Sequence, residues 1–229
     1  PPFRYLKKLI DDGYIGRCQH CRFSYLAGYG RTPRYGWKFD RQRGLGALGD
    51  LGSHMIDLAR WFVGDIAKVS ATLNTFMQRT GVDQQKLDPA NDAAFLAIEF
   101  DNGARSVFEF STVAHVEGQV QQIRLYGEEG TLEADQTWTE AEIRGTRHNE
   151  SRLRSLPVPS EYWRGLDTTQ PLVRQVLEAF VRQPIGDRLF IDAILEDKTV
   201  SPNFYDGFKV QEVIDAALQS DQYGEWVSI

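Results

Sequence analysis

A closely spaced series of segments in which apolar and polar residues alternate runs from Ile66 to Gly145. Such alternation, in segments rich in β-branched and aromatic residues, predicts β-strands. The sequence Asp101-Asn102-Gly103 between two of them predicts a tight hairpin, because Asn and Gly tolerate the positive φ angles of such a turn. No helical pattern separates these strands, which favours an antiparallel or mixed sheet over a doubly wound parallel sheet. The predicted strands are 66–76, 93–100, 104–111, 120–126, 131–135 and 141–145.

Helical spacing dominates both ends of the chain. An N-terminal helix is followed by a strand over about 15–26, and a terminal strand over 225–229 is expected to rejoin the sheet. Ser201 is expected to cap the last helix, with Pro202 in its first turn. The chain is therefore predicted to be one α+β domain over 1–229, with a largely antiparallel open sheet and helices packed on one face. The predicted helices are 1–12, 48–62, 168–183, 189–197 and 201–220.

Charge and hydropathy exclude several classes of protein. The net charge is −6 and the sequence shows no basic face, which argues against nucleic acid as a partner. No apolar run approaches the roughly 18 residues that a membrane-spanning helix needs. The chain opens on a charged helical stretch and not on a signal peptide, so we expect a cytoplasmic protein with no membrane partner.

Two cysteines, Cys18 and Cys21, form a CxxC motif within the predicted strand 15–26. Residues three apart on a regular strand point to opposite faces, so we expect the two sulfurs to be held apart. This placement argues against redox or metal chemistry at the motif and favours buried, reduced thiols.

Gly44, Gly46 and Gly49 formally satisfy the G-x-G-x-x-G pattern of dinucleotide-binding proteins. That fingerprint must follow a buried strand, open a helix and precede a strand that ends in an acidic residue. The residues before Gly44 form no buried strand and the next strand ends without an acidic residue, so we predict no cofactor-binding residues in this chain. The glycines are expected to form a flexible loop whose backbone passes close to a ligand or a helix.

The most informative residues lie on the predicted helix 48–62. Asp50, His54 and Asp57 fall within roughly 60° of one another at about 100° per residue, on a stripe that borders the core. Oxidation of a secondary alcohol requires a proton acceptor, and histidine is the natural choice. We therefore expect His54 to be the base in oxidation and the acid in reduction. Asp50 would orient the substrate and tune His54. Asp57 could do either, or could simply cap a nearby backbone group.

Spacing alone leaves two alternatives for Asp50 and His54. Acid and histidine one turn apart on a helix often form a surface ion pair that contributes less than about 1 kcal/mol. Carboxylate and imidazole at i and i+4 can also share a metal ion, but a catalytic metal needs a further ligand. The remaining histidines His20, His115 and His148 show no matching spacing, so no metal site is predicted.

The segment 35–65 resembles the Gfo/Idh/MocA oxidoreductases, which include glucose-fructose oxidoreductase and inositol dehydrogenase. The resemblance rests on a glycine-rich loop, an Asp-x-x-x-His pair at Asp50 and His54, a following Ile-Asp, and the helix-ending Gly64. Weaker matches lie in the expected order along the chain, at 6–16, 125–135, 204–220 and 224–229.

This resemblance implies that 1–229 is the family's C-terminal substrate-binding and oligomerisation domain. A Rossmann domain of roughly 120 residues, an ordinary domain size, would precede it, bind NAD or NADP and supply the lysine of a Glu-Lys-Pro motif. Asp50 and His54 match the family's acid and base. Trp37 and Lys38 stand where members commonly have Trp-Arg, which implies substrate contact, although lysine lacks arginine's bidentate fork. The open sheet face implies a homo-oligomer.

Together these observations predict the catalytic half of an NAD(P)-dependent oxidoreductase. Its reaction would interconvert a secondary alcohol and a ketone on a sugar, cyclitol or related polyol, and the isolated chain is expected to be inactive. The alternative is a stand-alone, non-catalytic module that binds a sugar or mediates oligomerisation and lacks a cofactor site.

Overall fold

A computed structural model of the chain describes residues 1–82, 85 and 87–229. The helices are α1 (Pro2–Asp11), α2 (Ser53–Phe62), α3 (Ser160–Trp163), α4 (Leu172–Arg182), α5 (Asp187–Leu195) and α6 (Phe204–Tyr223). The strands are β1 (Cys18–Ala27), β2 (Ile66–Asn74), β3 (Ala93–Phe100), β4 (Arg105–Ser111), β5 (Gln119–Gly127), β6 (Gly130–Gln136), β7 (Ala141–Arg147), β8 (Arg154–Ser155) and β9 (Val227–Ser228).

Within the described residues, nine strands form one sheet in the order β8-β7-β6-β5-β1-β4-β3-β2-β9. Neighbours pair antiparallel, apart from β1 and β4, which run in parallel. The prediction of an α+β domain with a largely antiparallel open sheet is confirmed. Because β1 and β4 are parallel, the segments that follow them leave the sheet side by side. The amide of Gly30 accordingly donates to the carbonyl of Thr112 at 2.8 Å.

The predicted Asn-Gly hairpin joins β3 to β4 and also supports α2. Gly103 has a φ of 86°, a value that favours glycine because it has no side chain to clash. The Asn102 side-chain amide donates to the carbonyl of Val63 at 2.8 Å, just beyond the end of α2. The turn therefore fixes one end of the helix that carries the predicted site.

Helices α2 and α6 pack on one face of the central strands and form the core. The strands contribute large, fully buried aromatic side chains, and each such side chain stabilises the fold by about 1.5–3 kcal/mol relative to exposure. The main buried residues are Phe23, Phe108 and Phe110 from the sheet, Met55 and Ile56 from α2, and Val213, Ile214 and Ala217 from α6. The opposite face exposes Phe95 and Val107 and carries charged pairs such as Arg124 with Asp135. One face of the sheet thus holds α2 in place.

The N-terminal cap of α6 differs from the expectation. Asn203, and not Ser201, caps the helix: its side chain accepts from the amide of Tyr205 at 2.7 Å. The Asp206 carboxylate completes a capping box by accepting from the Asn203 amide at 2.8 Å. This reciprocal pair satisfies two backbone donors, and Ser201 is left to donate to Asp206 from outside the helix.

The expectation that the two CxxC sulfurs lie on opposite faces of the strand is also wrong, although both cysteines are free thiols. A β-bulge shifts the register between Cys18 and His20, so the regular alternation of side chains breaks there. The Cys18 thiol donates to the His20 carbonyl at 3.6 Å and the Cys21 thiol to the Arg105 carbonyl at 3.8 Å. The influence of the two thiols on each other lowers the pKa of Cys18 and raises that of Cys21. Cys21 is buried, as the sequence indicated.

Candidate active site

The structure brings the five predicted site residues into one cavity of about 840 Å³. This volume lies within the range of roughly 300–1,000 Å³ that is typical of small-molecule sites. The predicted residues on its wall are Trp37, Lys38, Asp50, His54 and Asp57. The cavity is also lined by residues that were not predicted from the sequence. They are Gln121 from β5, Gln136 from β6, and Asn203 and Asp206 from the start of α6.

Asp50 lies on a π-helical turn, Leu48–Gly52, and not on a regular α-helix as predicted. A π turn bonds i to i+5, so Asp50 does not follow the 100° spacing assumed for the stripe. Gly52 lets this turn approach the sheet, because a Cβ there would lie 2.9 Å from Cδ2 of Phe110. The turn is also tied down from outside, since the Asn91 side chain accepts from the Leu48 amide at 2.9 Å. Turns of this kind are frequent at functional sites.

Both oxygens of the Asp50 carboxylate are taken by residues of the loop that follows β1. The Lys38 ammonium donates to Oδ1 at 2.6 Å, and the Tyr29 hydroxyl donates to Oδ2. Among the described residues Asp50 forms its ion pair with Lys38 and none with His54. The interpretation of Asp50 and His54 as a surface ion pair is therefore wrong.

Tyr29 is a site residue that the sequence analysis missed. Burial, followed by the hydrogen bond to Asp50, raises the pKa of its phenol, so the hydroxyl keeps its proton and acts as a donor. The Lys38 ammonium also lies 5.7 Å from the centre of the Tyr29 ring. A tyrosine in a glycine-rich loop gives little local signal, because its partner is 21 residues away.

His54 is exposed to the cavity and has an aromatic neighbour on the sheet. The Tyr25 ring centre lies 6.1 Å from that of the imidazole, at an angle of 56°. The Tyr25 hydroxyl donates to the side-chain oxygen of Gln119, and burial raises the pKa of this phenol. The imidazole faces the same cavity as the Asp50 carboxylate and the Lys38 ammonium.

Asp57 lies one turn further along α2, close to the start of α6. Burial raises the pKa of its carboxyl, and the nearby Asp206 carboxylate adds to this effect. Arg60 and His54 act in the opposite direction. Asp57 is thus a half-buried acid on the cavity wall, and its role in binding or capping stays a prediction.

A buried ion pair fixes the loop that carries Tyr29 and Lys38. Nη1 of Arg79 lies 2.6 Å from Oδ1 of Asp92, and both side chains are fully buried. The same guanidinium donates to the carbonyl of Gly30, next to Tyr29. It also stacks 3.9 Å from the ring centre of Phe39, next to Lys38. One arginine therefore positions both partners of Asp50.

The glycine-rich segment packs against its own chain. Gly46 has a φ of 61°, and a Cβ there would come within 2.1 Å of the Asn91 carbonyl oxygen. At Gly44 a Cβ would lie 2.8 Å from Cα of Lys38. These glycines allow close backbone contacts that shape the loop, in line with the expectation that the segment serves close approach.

Two further properties concern metals and membranes. In the part of the chain that the structure describes, no group of three or more His, Cys, Asp or Glu side chains is arranged to hold a metal ion. Over the same residues, no helix combines the length and the apolar character needed to span a bilayer.

Comparison with protein families matches residues 3–133 to the GFO/IDH/MocA C-terminal domain. Levoglucosan dehydrogenase from Pseudarthrobacter phenanthrenivorans is 28% identical over 257 aligned residues, covering 100% of this chain and 64% of the relative. Glucose-fructose oxidoreductase domain-containing protein 2 from Homo sapiens is 26% identical over 245 aligned residues, covering 100% of this chain and 61% of the relative. The chain thus spans about three fifths of the length of these relatives.

Solved structures show the same fold. Levoglucosan dehydrogenase in complex with NADH and levoglucosan superposes with a TM-score of 0.81 at 28% identity, over 97% of this chain and 62% of that one. An NAD-binding oxidoreductase from Klebsiella pneumoniae gives a TM-score of 0.80 at 25% identity, over 100% of this chain and 64% of that one.

Proposed function

Because the chain belongs to the Gfo/Idh/MocA family, we propose that it is the substrate-binding and catalytic domain of an NAD(P)-dependent oxidoreductase. The reaction we propose interconverts a secondary alcohol and a ketone on a sugar, cyclitol or related polyol. The observation that carries this proposal is the grouping of Lys38 and Asp50 beside His54 in one cavity, with Tyr29 bonded to Asp50. The named activities of levoglucosan dehydrogenase and other relatives support the same class of reaction.

The proposed division of labour follows from the contacts. Lys38 and Tyr29 hold the Asp50 carboxylate in a fixed orientation, so that it and the Lys38 ammonium can bind adjacent substrate hydroxyls. His54, which makes no ion pair with Asp50 among the described residues, is available to take the hydroxyl proton during oxidation and return it during reduction. Pre-organised donors of this kind orient the substrate without paying for rearrangement at the moment of reaction.

Trp37 and Asp57 complete the proposed substrate contacts. Trp37 lies exposed at the rim of the cavity, where its ring can cover the apolar face of a sugar. Because burial raises the pKa of Asp57, its carboxylate accepts a hydrogen bond from a substrate hydroxyl more strongly than a fully solvated carboxylate would. We assign Asp57 to substrate binding and not to proton transfer, because His54 is the group with the matching chemistry.

The residues present fit a nicotinamide cofactor in their chemistry. A proton acceptor beside hydroxyl-binding groups is what alcohol oxidation requires of the substrate side. When bound, NAD(P) supplies the hydride acceptor. We place the dinucleotide cradle in a separate domain, because the glycine-rich segment is used for packing and the relatives are longer than this chain. We also propose that the exposed sheet face with Phe95 and Val107 mediates self-association.

Removal of His54 tests this proposal. In the protein that contains this chain, assayed with NAD⁺ and NADP⁺ on levoglucosan, glucose and inositol, we expect His54→Ala to lower kcat by about 10²–10⁴-fold. Sugar binding, measured by calorimetry, should persist. The exposed His148→Ala is the matched control and should leave kcat unchanged.

Two results would count against the proposal. Equal turnover by His54→Ala and wild type would remove the assigned role of the histidine. Sugar binding without turnover on either cofactor would favour the alternative of a non-catalytic binding module.

A further inference from the structure

We propose that a second pocket, next to the candidate active site, binds the second unit of a glycoside, so that the substrate is a disaccharide or a related glycoside. This inference rests on the proposed function and names its substrate class. The pocket has a volume of about 200 Å³. The residues that carry the argument are Tyr25, Gln121, Gln136, Trp138, Leu172 and Val176.

The second pocket continues the first. Gln121 and Gln136 line both of them, from paired positions on β5 and β6. Their side chains are joined by a hydrogen bond of 3.4 Å from Nε2 of Gln136 to Oε1 of Gln121. A volume of about 200 Å³ is below the roughly 300 Å³ of a self-sufficient ligand site. It therefore suits an extension of the larger cavity, holding one further unit of a ligand that is anchored beside His54.

The second pocket begins close to His54. Tyr25 lines the second pocket, and its ring centre lies 6.1 Å from that of His54, which is a contact distance for two aromatic rings. A sugar with its reacting hydroxyl at His54 would therefore direct a glycosidic substituent toward Tyr25 and the two glutamines.

The lining matches the chemistry of a pyranose. Such a ring presents hydroxyls around its edge and C–H groups on its faces. The side-chain amides of Gln121 and Gln136 offer both donors and acceptors for the hydroxyls. Trp138 and the aliphatic Leu172 and Val176 offer apolar surface for the C–H groups. Mostly apolar walls with a few placed polar groups are the general composition of small-molecule sites.

The walls of the pocket are held by hydrogen bonds to the backbone. The first amides of α4 donate to the turn between β6 and β7, from Leu172 to the Thr139 carbonyl at 3.0 Å and from Val173 to the Trp138 carbonyl at 2.8 Å. The Trp138 ring packs over Gly118, where a Cβ would lie 2.9 Å from Cδ1 of the indole. These contacts fix α4, the turn and the Trp138 indole relative to one another.

The test compares matched pairs of probes in the protein that contains this chain. Methyl β-glucoside is paired with cellobiose, and methyl α-glucoside with maltose, so each disaccharide replaces a methyl group by a second glucose. Binding is measured by calorimetry and turnover with NAD⁺ and NADP⁺. We expect one disaccharide to exceed its methyl glucoside by about tenfold in affinity or in kcat/KM, equivalent to about 1.4 kcal/mol.

Two variants ask whether that advantage arises in the second pocket. Trp138→Ala removes the apolar wall, and Val176→Trp fills the space; either should bring the ratio of disaccharide to methyl glucoside close to one. The matched control is Trp226→Ala, since Trp226 is 51% exposed, against 48% for Trp138, and lines neither pocket. This control should keep the ratio.

The outcomes separate this inference from the proposed function. If no disaccharide exceeds its methyl glucoside, or if the advantage survives both variants, the inference is overturned even where sugars are oxidised. If a disaccharide binds in a Trp138-dependent way but is not oxidised, the assignment of the second pocket to a second sugar unit stands and the proposed function fails. Failure of all four probes to bind overturns the inference.

Discussion

The two sides of the candidate active site are held in place by different kinds of interaction. His54 and Asp57 stand on α2, whose apolar side chains Met55 and Ile56 are fully buried against the sheet. Tyr29 and Lys38 stand on a loop whose position depends on the buried pair of Arg79 and Asp92. A helix positions its residues by local geometry, whereas this loop is positioned by contacts between distant parts of the chain.

This difference explains which site residues could be predicted from sequence. The helical spacing of His54 and Asp57 is contained in a few residues of α2, so periodicity alone placed them on one face. The contact between Arg79 and Gly30 joins residues 49 apart, and nothing in the pattern around either residue indicates it. Tyr29 escaped prediction for the same reason.

The largest expected effect is on the free energy of unfolding, and it concerns the loop side of the site. Arg79→Met leaves the Asp92 charge buried without its partner, and breaking a buried pair in this way typically costs about 3–5 kcal/mol in the free energy of unfolding. Because the loop also loses its contact at Gly30, we expect activity to fall even where the protein remains folded. Chemical denaturation and kcat/KM on the same samples measure both effects.

An exposed ion pair is the control for Arg79. Arg17 and Glu128 have side chains that are 67% and 43% exposed, so Arg17→Met should cost no more than about 1 kcal/mol. The double variant Arg79→Met with Asp92→Asn should recover part of the loss, because the buried charge is then removed. Equal costs for Arg79→Met and Arg17→Met would show that the loop is not held by this ion pair.

The next largest effect concerns the contact between the two sides. Tyr29→Phe removes the hydroxyl that donates to Asp50 but keeps the ring, so the carboxylate loses one of its two partners. We expect kcat/KM to fall about tenfold, equivalent to about 1.4 kcal/mol of transition-state stabilisation. Tyr35→Phe is the control, since its hydroxyl reaches Asp40 at 3.3 Å and not a residue of the site. Equal rates for the two variants would remove Tyr29 from the set of positioning residues.

The fold shows the same division between local and long-range information. Alternation predicted the strands, and Asn102-Gly103 predicted the hairpin, because these signals lie within each segment. The parallel pairing of β1 with β4 depends on which strands meet in space, and no single segment contains that information. The bulge at Cys18 and the π turn at Asp50 escaped prediction because each departs from the regular period of a strand or an α-helix.

The smallest expected effect concerns the helix side, and it is a change in how stability depends on pH. Burial and the Asp206 carboxylate raise the pKa of Asp57 above its ordinary value of 3.8, so the folded protein binds this proton more tightly than the unfolded chain does. The contribution of Asp57 to stability is therefore most favourable at low pH and is lost as pH rises from the ordinary value through the raised one. Asp57→Asn removes this loss, so the variant should be more stable than wild type at neutral pH, with the difference shrinking toward acid. The free energy of unfolding measured from about pH 4 to about pH 8 checks the sign.

Asp215→Asn, at an exposed position of α6, is the control and should show no such trend. A difference between Asp57→Asn and wild type that grew toward acid would contradict the burial argument.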